Sequence, residues 1–149
     1  MKVSLRSTYG IMAAVDLAMQ TGSTPIQAKS IARRQGIPAR FLEQVLHAMK
    51  KGGLVSSQRG AQGGYVLSKR PSELSVADIL EALDGPLFSR MAINGHHSFQ
   101  RMTKSEILLS KVWERVQDAE RHVLEAITID ELAGQQRLLE QQRTLMYHI

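Results

Sequence analysis

Apolar side chains recur along most of this chain at the spacing of amphipathic helices, broken once by two extended runs around a glycine cluster. Over residues 4–20, Leu5, Tyr9, Met12, Ala13, Leu17 and Met19 follow that spacing, which predicts a helix with Ser4 as N-cap and Gly22 as stop. Thr24-Pro25-Ile26 is too short for a helix and reads as a connector or a brief strand. Residues 27–35 predict a short helix with Ile31 and Ala32 inward, ended by Gly36. Pro38 suits the first turn of the next helix, where its missing N–H costs nothing. That helix runs to about Lys51, with Phe41, Leu42, Val45, Leu46 and Met49 as its apolar stripe. Ala39, Arg40, Glu43, Gln44, His47 and Lys50 lie on its other face. Leu54 to Arg59 and Tyr65 to Ser68 read as the strands of a hairpin, and the glycines between them supply the positive φ of its turn.

Ser75 caps a further helix over 76–83, with Asp78 completing a shortened capping box. Residues 85–102 show no clear period and read as a loop or partly disordered stretch. Thr103-Lys104-Ser105-Glu106 is a capping box that opens a long helix reaching about Ile127. Leu109, Val112, Val116, Ala119, Val123 and Ala126 recur there at alternating intervals of three and four, a heptad-like stripe widened by Trp113, Leu124 and Ile127. Thr128-Ile129-Asp130-Glu131 opens a short helix carrying Leu132 and Ala133, and the Gln- and Arg-rich tail 135–149 is helical or frayed.

A short helix, a Gly turn, a second helix and a Gly-tipped basic hairpin together describe a winged helix-turn-helix. The expected fold is mainly α. A winged helix-turn-helix domain with a two-stranded wing spans 1–84, a loop spans 85–102, and a dimerisation helix with the C-terminal tail spans 103–149. The aliphatic stripe of the long helix has little other core to meet, so it points to a second copy of the chain.

Charge sharpens this picture. Residues 1–70 carry 11 Lys and Arg against only Asp16 and Glu43, a balance of +9, while residues 71–149 carry 8 against 12 Asp and Glu, a balance of −4. A basic first half points to a polyanion, with double-stranded DNA ahead of a membrane surface, because phosphate neutralisation supplies most non-specific affinity. The absence of cysteine excludes disulfides, thiolate nucleophiles and any centre held by sulfur. No run of about 18 apolar residues exists to span a bilayer, and MKVSLRSTYG lacks a long apolar signal segment, so the expected setting is cytoplasmic. No nucleophile–base pair, phosphate loop or carboxylate dyad argues for an enzyme.

The candidate contacts follow from the fold. Arg59 and Gln62 at the wing tip reach phosphates or the minor groove, beside Gly63, where backbone can approach DNA closely. Arg40 has the reach for G O6/N7, Gln44 for adenine, and His47 shares their face. Glu43 either pairs with His47 or Arg40 or accepts from a cytosine amino group. Ser4, Arg6 and Tyr9 sit where a helix N-terminus can hold a phosphate, and Lys50 and Lys51 are phosphate-facing or solvated. Tyr65 reads as a wing anchor rather than a base stacker. His96-His97, without nearby Asp, Glu or Cys, is a weak metal signal and reads as solvated loop. A signalling adaptor that uses the same basic face to bind a protein is the alternative function.

Phe41-Leu42-Glu43-Gln44, Gly53-Leu54-Val55 and Arg59-Gly60-Ala61-Gln62-Gly63-Gly64-Tyr65 closely resemble the Rrf-type family of bacterial transcription regulators, of the IscR, NsrR and CymR kind. Tyr9-Gly10, Ala82 to Leu87, and the Trp113-containing helix followed by Ile127 to Leu132 are similar too, so the resemblance covers about residues 1–135. It implies a homodimeric DNA-binding regulator whose long helices cross and whose operator is roughly palindromic; with the basic half, the winged helix-turn-helix and the heptad helix, the expected role is that of a repressor. It favours the cytosine-reading role for Glu43. Sensor members hold an iron–sulfur cluster with three cysteines between the fourth helix and the long helix. Phe99 and Ser105 stand where two of those cysteines are expected, and Ile93 lies near the third. The chain is therefore expected to work without a cofactor of that kind, its signal a small molecule, a partner protein, or none.

Overall fold

The structure, a computed structural model, describes residues 2–20, 23–87 and 101–148. Helix α1 (Leu5–Met19) begins where the Ser4 side chain accepts from the Ser7 amide, as the sequence predicts, and ends on Gln20. Gly22 and residues 88–100, with Ile93, His96-His97 and Phe99, lie outside the described residues. Helix α2 (Ala28–Gln35) closes on Gly36 in the left-handed conformation. In helix α3 (Ala39–Lys51) Pro38 is the N-cap, one position earlier than expected. Strands β1 (Val55–Gln58) and β2 (Gly64–Leu67) pair antiparallel, with Val55 opposite Leu67 and Gln58 opposite Gly64. Within the connector, Ile26 alone makes an isolated antiparallel bridge to Tyr65, without forming a strand. A short 3-10 turn, Pro71–Glu73, leads to helix α4 (Val76–Asp84), which carries the full Ser75/Asp78 capping box.

Helix α5 (Lys104–Ala126) opens on the Thr103/Glu106 capping box, and Thr128 caps helix α6. Helix α6 (Ile129–Tyr147) does not stop shortly after Ala133 but takes in the tail almost to its end. Its Gln, Arg, Leu and Glu residues are good helix formers that leave little apolar period to read.

The main core gathers around α1, whose Ala13 and Ala14 are fully buried beneath Ile31, Leu42, Leu46, Met49, Leu74 and Ile79. Burying each large aliphatic side chain contributes about 1.5–3 kcal/mol. Gly10 lets the helices close up there, since a Cβ would collide with Leu83 and crowd Ile79 of α4. Helix α6 returns Ile129 and Ala133 to this same core. Helix α5 behaves differently. Only Leu124 is buried, against Val76, Ala77 and Leu80 of α4, with Ile127 packed alongside. Leu124 and Ile127 are thus intramolecular rather than part of the open stripe. Leu108, Leu109, Val112, Trp113, Val116 and Val123 stay 42–64% exposed.

Candidate nucleic-acid interface

Helix α3 is fastened by one side. Leu42, Val45, Leu46 and Met49 are buried, which turns Arg40, Glu43, Gln44, His47 and Lys50 outward together. Among the described residues, Arg40, Glu43, Gln44 and His47 make no side-chain hydrogen bond or ion pair, so Glu43 is not spent on Arg40 or His47. Lys50 is engaged, its Nζ donating to Ser57 Oγ at 2.6 Å and tying the end of α3 to the wing. Lys51 is exposed. Side chains cap α1, α4, α5 and α6, but none caps α2 or α3. The amides of the first turn of α3 therefore remain for water or an anion, at the positive end of its dipole.

The wing turn spans residues 59–63, with Arg59 and Gln62 exposed at its tip. Neither side chain has an intramolecular partner among the described residues. Gly63 faces inward instead. It is buried, its N–H donates to the Gly60 carbonyl at 3.0 Å, and a Cβ there would strike the Gln58 carbonyl. It builds the turn, and its amide is already occupied. Gly64 has φ +153 and lies so close to Ile26 that no side chain fits. Ile26 and Tyr65 exchange backbone hydrogen bonds of 3.0 and 2.8 Å, and Gln27 Nε2 donates to the Ala61 carbonyl at 3.4 Å. Tyr65 is half-buried against the main core, in the anchoring role read from the sequence.

The start of α1 departs from expectation. Arg6 is exposed there, but Ser4 Oγ donates to Asp84 at 2.7 and 2.8 Å, and Ser7 Oγ donates to it at 2.6 Å. The chain's own carboxylate therefore holds the place offered to a phosphate. Partial burial pushes the Asp84 carboxyl up. Hydrogen bonds from the Ser7 and Ser4 side chains and the Ser4 backbone, with the charge of Arg6, outweigh that and hold it below the usual carboxylate range. Tyr9 is half-buried, edge-on to Phe41 with ring centroids 5.4 Å apart, and so is packing.

One polar constellation escaped the sequence reading. Asp16 is 2% exposed and receives Arg34 Nε at 3.0 Å, Arg34 NH2 at 2.6 Å and Gln35 Nε2 at 2.9 Å. It locks α1 to α2 and removes one of the two acids from the basic half. The signal was present: a lone carboxylate within Ala13-Ala14-Val15-Asp16-Leu17 is buried and needs a hydrogen-bonding or charged partner.

Comparison with known proteins decides what this surface belongs to. Residues 3–135 match the Rrf2 family, described as iron-dependent transcriptional regulators. The chain belongs to the Rrf2 family. It is 33% identical over 134 residues to the HTH-type transcriptional regulator CymR of Bacillus subtilis, covering 90% of this chain and 91% of that one. It is 31% identical over 140 residues to IscR of Photorhabdus laumondii, covering 94% and 84%. The solved structure of B. subtilis CymR, the global cysteine regulator, superposes with a TM-score of 0.73 at 32% identity, over 90% of this chain and 97% of that one. IscR of T. potens gives 0.70 at 36% identity, over 91% and 88%. This Rrf2 protein is a DNA-binding transcription regulator with a winged helix-turn-helix, not an enzyme, and the adaptor alternative gives way.

The iron in the family's description does not fit this member as a thiolate-held cluster. The chain has no cysteine, and Ser105 is an exposed residue in the first turn of α5. Among the described residues, no group of three or more His, Cys, Asp and Glu is placed to hold a metal ion. No helix among them is long and apolar enough to cross a membrane.

Proposed function

We propose that this Rrf2 protein acts in the cytoplasm as a homodimeric repressor on a roughly palindromic operator, responding to a small molecule or partner protein rather than a thiolate-held cluster. Residues 1–84 bind DNA, 85–102 link the two parts, and 103–149 carry the dimer contact on α5 while α6 braces the DNA-binding unit. The observation that carries the reading is the unengaged group Arg40, Glu43, Gln44 and His47 on a helix whose end Lys50 ties to the wing. Arg40 addresses guanine, Gln44 adenine and Glu43 a cytosine amino group, with His47 on the same face. Arg59, with Gln62, reaches a phosphate or the minor groove, Arg6 and Lys50 flank on phosphates, and Gly63 shapes the turn that presents them. The bare aliphatic side of α5 supports the homodimer. A two-fold then places two copies of α3 about 34 Å apart, one DNA turn.

Selection of bound fragments from genomic DNA tests this directly. The expected product is a sequence of two related half-sites, bound by a dimer, with log affinity falling linearly as log salt rises. Equal affinity for every duplex would overturn the operator, and a single subunit on the bound DNA would overturn the dimer.

A further inference from the structure

Beneath the wing lies a cleft of about 430 Å³ that the DNA-binding reading does not use. It opens between the end of α1, the connector before α2, strand β2 and the 3-10 turn. Small-molecule sites usually measure about 300–1,000 Å³ and combine an apolar wall with a few polar groups. This cleft has that make-up. Leu17, Ile26, Leu67 and Pro71 supply apolar surface, and every residue of β2 is only half-buried, so the wing leaves that surface incompletely covered. Gln20, Ser23, Thr24 and Lys69 supply polar groups.

Charge narrows the ligand. Among the described residues no Asp or Glu lines the cleft, and Lys69 is exposed there without an ion pair or side-chain hydrogen bond. Outside the lining, Arg137 donates to the carbonyl of Ala18, one of the lining residues, at 3.2 Å. All of the lining residues but Pro71 belong to the basic half of the chain. An unpaired ammonium beside hydroxyl and amide donors suits a carboxylate, and the aliphatic wall suits a short hydrocarbon or aryl body.

We propose that this cleft is a binding site for a small organic carboxylate with an apolar body, and that its occupancy acts on the wing. Tyr65 and Ile26 both line the cleft, and their mutual hydrogen bonds fix where the wing leaves the core. A ligand touching α1 and β2 together has different contacts for each wing position, which is the differential affinity that a change in DNA binding requires. This second part rests on the operator-binding reading above.

Hexanoate and phenylacetate serve as probes, with hexanol and phenylacetamide as uncharged counterparts, titrated without DNA while the methyl NMR signals of Leu17, Ile26, Val66 and Leu67 are followed. Saturable shifts are expected with the carboxylates, weaker by about tenfold with the neutral compounds and in Lys69→Glu, and retained in Lys69→Arg. Silence at those methyls, or shifts that Lys69→Glu leaves unchanged, overturns the site. The saturated protein is then titrated with the selected operator, where a change in affinity of about twofold or more is expected. Saturation that leaves operator affinity unchanged overturns the action on the wing. Ligand-free protein that binds no operator would sink the DNA reading while leaving the methyl result standing.

Discussion

Helices α3 and α5 are both amphipathic, yet they leave opposite sides without a partner. In α3 the apolar side is filled by the chain's own core and the polar side, Lys50 apart, is idle. In α5 the apolar stripe is bare, and a single residue, Leu124, is buried. A hydrophobic period in the sequence reports both helices alike, because it shows that a face wants burial and not which molecule buries it. The unmatched side names the partner's chemistry. Hydrogen-bonding and cationic groups suit base edges and phosphates, and an aliphatic seam suits another aliphatic seam.

The largest effect should come from placing a charge in that seam. Val116→Glu is expected to cost the dimer about 3–5 kcal/mol, a hundredfold or more in affinity, because the carboxylate would be buried unpaired. The subunit's own unfolding should hardly change, since Val116 is 45% exposed in it. Sedimentation together with urea unfolding checks both halves, and a variant that stays dimeric breaks the comparison on the α5 side. On α3 the two sides should separate cleanly. Leu42→Ala is expected to lose about 3 kcal/mol of stability by leaving a cavity in the core. Arg40→Ala, on the idle side, should stay within about 0.5 kcal/mol of the parent in urea while weakening operator binding. A smaller change is expected at the wing tip, where Arg59→Ala should weaken operator binding by about 1–3 kcal/mol in a titration at fixed salt. Unchanged affinity removes Arg59 from the interface.

Much of this architecture was legible because it is local. Ser4, Ser75, Thr103 and Thr128 each announce a helix start within a few residues of sequence, and each caps one. The idle face of α3 follows from spacing once its apolar stripe is read. What stayed hidden depends on distant residues. Asp16 meets Arg34 across 18 positions, and Ser4 meets Asp84 across 80. Leu124 sits one position off the α5 stripe, and only the approach of α4 assigns it to the subunit's own core. Gly63 looked like an exposed wing residue until the turn closed on its amide.

The smallest effect concerns the start of α1, which contrasts with α3 in a second way. Where the first turn of α3 has no side-chain cap, that of α1 is claimed by Ser4 and, through two hydroxyls, by Asp84. The Asp84 carboxyl is held below its ordinary range, so its contribution to stability is present above the unfolded value, near pH 4. That contribution is lost as pH falls through the lower, folded value. The carboxylate is exposed and therefore screened, which keeps the expected loss in Asp84→Asn to about 1 kcal/mol at pH 7. Urea unfolding at pH 7, 5 and 3.5 should show the gap between parent and variant intact at the first two and shrinking at the third. A gap of equal size at all three would mean that the side chain's shape, and not its charge, holds α4 to the start of α1. The start of α1 would then lack the built-in anion that sets it apart from α3.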